Sequence, residues 1–120
     1  KKKNIRVSLF INPNISDVKL AKLLEADCVE LHTGKYCNLY NNKKSTKSAF
    51  LNLKKTANYA HNVGLDVHAG HGLTYKSAYD ISKISYISEF NIGHFIISES
   101  IFVGIEKSIK TFKRIINRRR

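Results

Sequence analysis

The sequence predicts an α/β fold with a parallel sheet, built from four consecutive strand–helix units. Three observations carry this. Short apolar or alternating segments at 5–12, 28–34, 65–70 and 90–95 are separated by longer stretches with apolar residues at helical spacing. Those spacers are long enough for the crossovers that parallel pairing needs, and such crossovers are expected to be right-handed. Polar residues and glycines collect at the C-terminal ends of the strands, where β/α folds place their functional groups. Propensity alone leaves two architectures: an open doubly wound sheet, or part of a closed barrel.

The first strand reads I-R-V-S-L-F-I-N (5–12), with Val7, Leu9 and Ile11 apolar, and Pro13 ends it. Ser16 is a candidate cap for a helix over 17–26 that lines up Val18, Ala21 and Leu24. C-V-E-L-H-T-G (28–34) is the second strand. A polar connection follows at 35–44, carrying Tyr36 and Tyr40, which reads either as a flap over substrate or as a plain surface loop. Ser45 opens a long helix to about Val63, with Phe50, Leu53, Ala57 and Ala60 on one stripe and Gly64 at its end. L-D-V-H-A-G (65–70) alternates as the third strand. Thr74 can cap the next helix, which contains Tyr75, Ala78 and Ile81. F-N-I-G-H-F (90–95) is the fourth strand. The last helix holds Ile105, Ile109, Phe112 and Ile116 and runs into Arg118–Arg120, expected to be solvated.

The chain has 120 residues and no linker divides it, so residues 1–120 are expected to form a single domain. Net charge is +12, with 21 Lys and Arg against 9 Asp and Glu. The basic residues gather at the two ends or dot the helices, and no nucleic-acid motif accompanies them, so no nucleic-acid partner is expected. Cys28 and Cys37 fit no metal or redox spacing, and a reducing, cytoplasmic setting is the default. No apolar run reaches the roughly 18 residues of a membrane span, and the start shows no signal-peptide pattern. Met is absent, so residue 1 is expected to lie inside a longer protein unless an initiator Met was removed.

The residues that stand out are Glu30, His32, Thr33 and Gly34, then His68, Gly70, His71 and Gly72, then Asn91, Gly93 and His94. Glycine at a strand end lets backbone N–H groups approach a phosphate closely, although a tight turn alone would also use it. His71, between two glycines, is placed to exchange a proton near neutral pH. Glu30 interrupts an apolar strand. It needs either a cationic intermediate or a salt bridge, to Arg6 or to a lysine on another strand. A metal site is not expected, because His68 and His71 do not fall on one side of an extended strand. His61 reads as a surface residue.

R-V-S-L-F-I (6–11), V-E-L-H-T-G (29–34), A-G-H-G-L-T-Y (69–75) and N-I-G-H (91–94) resemble the pyridoxine 5'-phosphate synthase family, in order and spacing and over nearly all of the chain. The resemblance implies a (β/α)8 TIM-type barrel, of which this chain covers strands five to eight with their helices. It implies condensation of 1-deoxy-D-xylulose 5-phosphate with 3-amino-2-oxopropyl phosphate, giving pyridoxine 5'-phosphate, inorganic phosphate and water, without metal or organic cofactor. It implies phosphorylated small-molecule substrates, a homo-oligomer (an octamer in the best-known members), and no membrane partner. His71 falls on the family's proton-donating histidine and Glu30 on the carboxylate that stabilises cationic intermediates. Gly72 falls on a substrate-binding backbone position, and Gly93 and His94 on the pair that binds phosphate. His68 departs from the family, which commonly has Asn there. The family's N-terminal half, with a further catalytic histidine, a glutamate and phosphate-gripping arginines, has no counterpart here. The chain is therefore expected to be inactive alone and, through two open sheet edges and an apolar inner face, to pair or aggregate. The alternative reading is a non-catalytic phosphate-binding half barrel. A third is binding of nucleic acid by the basic surface.

Overall fold

The computed structural model describes residues 3–117. Four strands, β1 (Ser8–Ile11), β2 (Cys28–His32), β3 (Asp66–Gly70) and β4 (Ile87–Asn91), form one sheet in the order β1-β2-β3-β4, each pair parallel. A doubly wound sheet reverses its strand order partway. Here each strand pairs with its neighbour in the chain throughout, which is the winding of a β/α barrel. Six helices complete the described residues: α1 (Ile15–Leu23), α2 (Gly34–Asn41), α3 (Lys47–Asn62), α4 (Tyr75–Ile81), α5 (His94–Val103) and α6 (Ile105–Asn117).

Alternation along the strands gives the sheet two unlike faces. Leu9, Ile11, Val29, Leu31, Val67, Ala69, Ile87 and Phe90 pack into a core with Val18 and Ala21 of α1, Leu53, Ala57 and Ala60 of α3, Ala78 and Ile81 of α4 and Phe112 of α6. The opposite face, the inner wall of a barrel, carries Phe10, Glu30, His68 and Glu89 in register as one layer. His32, Gly70 and Asn91 form the layer above. The expectation of an apolar inner face is therefore wrong: Phe10 is the one large apolar side chain in these two layers. Exposed apolar surface lies instead on helices flanking the open edges. Leu20, Leu23 and Leu24 stand on or just after α1, Ile97, Ile101 and Phe102 on α5, and Ile105 and Ile109 on α6.

Several boundaries differ from expectation. Asn14, not Ser16, caps α1, its Oδ1 accepting from the Asp17 N–H at 2.8 Å. Thr74 caps α4 as expected, in a reciprocal capping box with Ser77. The fourth strand lies at Ile87–Asn91 rather than 90–95, because the chain turns into α5 at Gly93. Ser88 is the extra residue where the β3–β4 register shifts between Val67 and His68, and its hydroxyl donates to the Val67 carbonyl at 3.1 Å. His61 is exposed, as expected, and stacks on Tyr86. Arg118–Arg120 lie outside the described residues.

The stretch 35–44 is neither flap nor plain loop. It is mostly α2, which buries Tyr36 and Cys37. The Tyr36 hydroxyl donates to Asp80 Oδ2 at 3.5 Å. Burial first, and then the Asp80 charge, push the Tyr36 ionisation far above its ordinary value of 10.0. The unfolded chain ionises near that ordinary value, so the contribution of Tyr36 to stability is complete below pH 10.0 and is lost as the pH climbs beyond it. Urea unfolding at stepped alkaline pH should show stability falling in that range, and Tyr36→Phe should flatten the fall. An identical fall in the variant would contradict the assignment.

Candidate active site

The C-terminal end of β3 organises the site. After Gly70 the backbone enters the left-handed region twice in succession, at His71 (φ 80°) and Gly72 (φ 80°). For histidine this conformation is strained and persists only where the surroundings hold it. Thr33, fully buried at the end of β2, does so. Its N–H donates to the Gly70 carbonyl at 2.9 Å, and its hydroxyl lies 2.7 Å from the carbonyl oxygens of both Gly70 and His71. The His71 side chain is thereby turned outward at the strand end, where it is exposed.

A cavity of about 390 Å³ opens beside this turn. His71, Gly72 and Thr74 line one side, and Asn91, Gly93, His94 and Ser98 the other. Gly93 is the N-cap of α5 and no side chain caps that helix, so the first N–H groups of α5 are free of side-chain partners at the cavity. Such a helix start favours an anion. The glycines on the two walls differ in kind. Gly72 is required by the chain itself, since its φ is left-handed and an added Cβ would sit 3.1 Å from Cys37 Cβ. Gly93 has φ −106°, and an added Cβ would meet nothing within 4 Å. Neither turn geometry nor packing demands glycine at 93. What its bare backbone leaves free is approach from the cavity.

Glu30 does not line the cavity but is joined to it. Its Oε2 accepts from Asn91 Nδ2 at 2.7 Å. The carboxylate reaches Asn91 by crossing β3 at Gly70, where an added Cβ would fall 2.0 Å from Glu30 Oε1. Of the two alternatives for Glu30, the salt bridge to Arg6 or a lysine is not formed among the described residues. Arg6 pairs instead with Asp66, near the opposite end of the strands, and Glu30 makes no ion pair among the described residues. His68, next to Glu30 in register, is buried with Nδ1 3.6 Å from Glu89 Oε1.

Of the residues nominated from sequence, His71, Gly72, Gly93 and His94 meet around one cavity, and Glu30 connects to it through Asn91. Sequence reasoning missed the roles of Thr33 and Asn91. Both stood in the strand-end clusters, which was the available signal. Cys37 is buried against Thr33 and Ser77, and burial raises its thiol ionisation against the lowering effect of those two hydroxyls. Among the described residues no three His, Cys, Asp or Glu side chains gather to hold a metal ion, and no helix is long and apolar enough to cross a membrane.

Parallel strands in chain order, with glycines and ionisable side chains gathered at their C-terminal ends, define a β/α-barrel protein. Residues 1–118 match the family model described as pyridoxal phosphate biosynthesis protein PdxJ, and the chain belongs to that family. It is similar to the pyridoxine 5'-phosphate synthase of Pelagibacter ubique, with 55% identity over 117 residues, covering 98% of this chain and 49% of that protein. The synthase of Ehrlichia canis is 49% identical over 94% of this chain and 45% of its own length. That of Zymomonas mobilis is 42% identical over 94% of this chain and 43% of its own length. The chain thus spans about half the length of these curated relatives.

The crossing of Glu30 over Gly70 has a measurable consequence. Gly70→Ala should destabilise the fold by roughly 1–3 kcal/mol, the usual cost of forcing atoms into filled space. In a Glu30→Ala background the same change should cost less, since its nearest collision partner is gone. Equal costs in both backgrounds, measured by denaturant unfolding, would show that Glu30 does not occupy the space above Gly70.

Proposed function

We propose that this chain forms the C-terminal half, strands five to eight, of a pyridoxine 5'-phosphate synthase barrel. The reaction is condensation of 1-deoxy-D-xylulose 5-phosphate with 3-amino-2-oxopropyl phosphate to pyridoxine 5'-phosphate, phosphate and water. The observation that carries the reading is the shared cavity of about 390 Å³: the His71 imidazole lies on one wall and an uncapped helix start on the other. In this reading the α5 N–H groups at Gly93 and His94 receive a substrate phosphate, and Gly72 lets its own backbone approach. His71 delivers a proton as water is lost. Glu30, oriented by Asn91, offsets positive charge on imine-like intermediates. No cofactor takes part.

Cytoplasmic location and assembly into a homo-oligomer belong to the same proposal. The apolar side chains left exposed on α1, α5 and α6 support association, since a monomer seldom leaves so much apolar surface in water. The polar inner wall supports catalysis by a completed barrel rather than by this half.

The test uses a fusion of the N-terminal half of the Pelagibacter ubique synthase to this chain. It should turn over both substrates, while the 120-residue chain alone should not. In the fusion, His71→Asn keeps a residue tolerant of left-handed backbone and should lower kcat by roughly 10²–10⁴-fold. A folded fusion that binds phosphate without turnover would favour the non-catalytic half barrel. Full activity in His71→Asn would remove His71 from the mechanism.

A further inference from the structure

The His71 imidazole projects from a strained backbone, and among the described residues no hydrogen bond reaches its ring. What touches it is another ring. His32, from the end of β2, lies face to face with it, centroids 4.5 Å apart and planes 25° from parallel. Phe10 of β1 stands against His32, centroids 5.1 Å apart, and lies 6.4 Å from the His71 ring. Three adjacent strand ends thus contribute one ring each to a cluster in which the two imidazoles form a stack and Phe10 lies tilted beside both.

The chain has made room for this stack. Gly34 opens α2 directly beside it, and an added Cβ would fall 2.4 Å from His32 Cε1 and 3.0 Å from His71 Cδ2. Its φ is not in the left-handed region, so the backbone conformation does not explain glycine there. Only the two imidazoles do. The inner wall is otherwise polar, which leaves the exposed Phe10 without an apolar core to join. Its tilted contact with the imidazole pair accounts for it.

We infer that His32 is a positioning residue for His71: its ring, with Phe10 at its side, fixes the orientation of the His71 imidazole at the cavity mouth. The contact is made through the flat face of His32, so the planar ring matters and a proton-carrying nitrogen does not. The catalytic consequence rests on the proposed function of His71. The structural statement does not.

Two measurements separate these levels. In the 120-residue chain, three-bond couplings report the χ1 rotamer of His71. A single rotamer is expected in the parent and in His32→Phe, and rotamer averaging in His32→Ala and His32→Gln. In the fusion with the Pelagibacter ubique half, His32→Phe should keep kcat within about threefold. His32→Ala and His32→Gln should lose roughly 10- to 100-fold in kcat with KM little changed, the scale of a misplaced catalytic group. A His71 rotamer as well fixed in His32→Ala as in the parent would overturn the inference. So would a His32→Phe variant as slow as His32→Ala, because the nitrogen and not the ring would then be what matters. An inactive parent fusion would count against the proposed function while the couplings still decide the role of His32.

Discussion

Thr33 is an uncharged side chain with no reach into the cavity, yet the geometry of the site follows from it. Its hydroxyl sits 2.7 Å from two successive carbonyl oxygens of the neighbouring strand end. A hydroxyl has one proton, so it donates to one of the two at a time, and burial removes water as a competitor for both. With those carbonyls held toward β2, the chain leaves β3 through a left-handed turn at a residue other than glycine. That turn sets His71 beside the cavity and delivers Gly72 to its wall. The cost of a left-handed histidine is met by tertiary contacts, which is where strained backbone at functional sites usually persists.

The second constraint is space. Three glycines at strand ends are used in three ways. Gly70 leaves room for the Glu30 carboxylate to cross β3, and Gly34 leaves room for two imidazoles. Gly93 leaves room for nothing in the chain itself. The same residue type thus makes room for three side chains and keeps one helix start open. A single residue added at any of these points would act on the site before it acted on the core.

Much of this was legible in the sequence, and the failures have physical causes. The third strand is legible nearly residue by residue, because L-D-V-H-A-G alternates cleanly, and the start of the next helix is legible because Thr74 is a strong cap. The helix α2 was not legible. It is short, has no acidic residue in its first turn and no side-chain cap, and forms because Tyr36 and Cys37 are buried by other elements. Helix α5 was hidden for another reason: in H-F-I-I-S-E-S-I-F-V the polar residues Ser98, Glu99 and Ser100 are consecutive, so no polar face sets a helical period, and its first residues read as a continuation of the strand. The partner of Glu30 lies 61 residues away, beyond any local pattern. The polar inner wall was missed because alternation shows which residues share a face but not which face meets the helices.

In the proposed function the end of β3 and the start of α5 together form one anion site. Inorganic phosphate titrated into the ¹⁵N-labelled chain tests it directly. Saturable shifts of the Gly72, Gly93, His94 and Phe95 amides are expected, all following one binding curve. Shifts confined to the amides of lysine- and arginine-rich segments, or separate curves for the two walls, would contradict it.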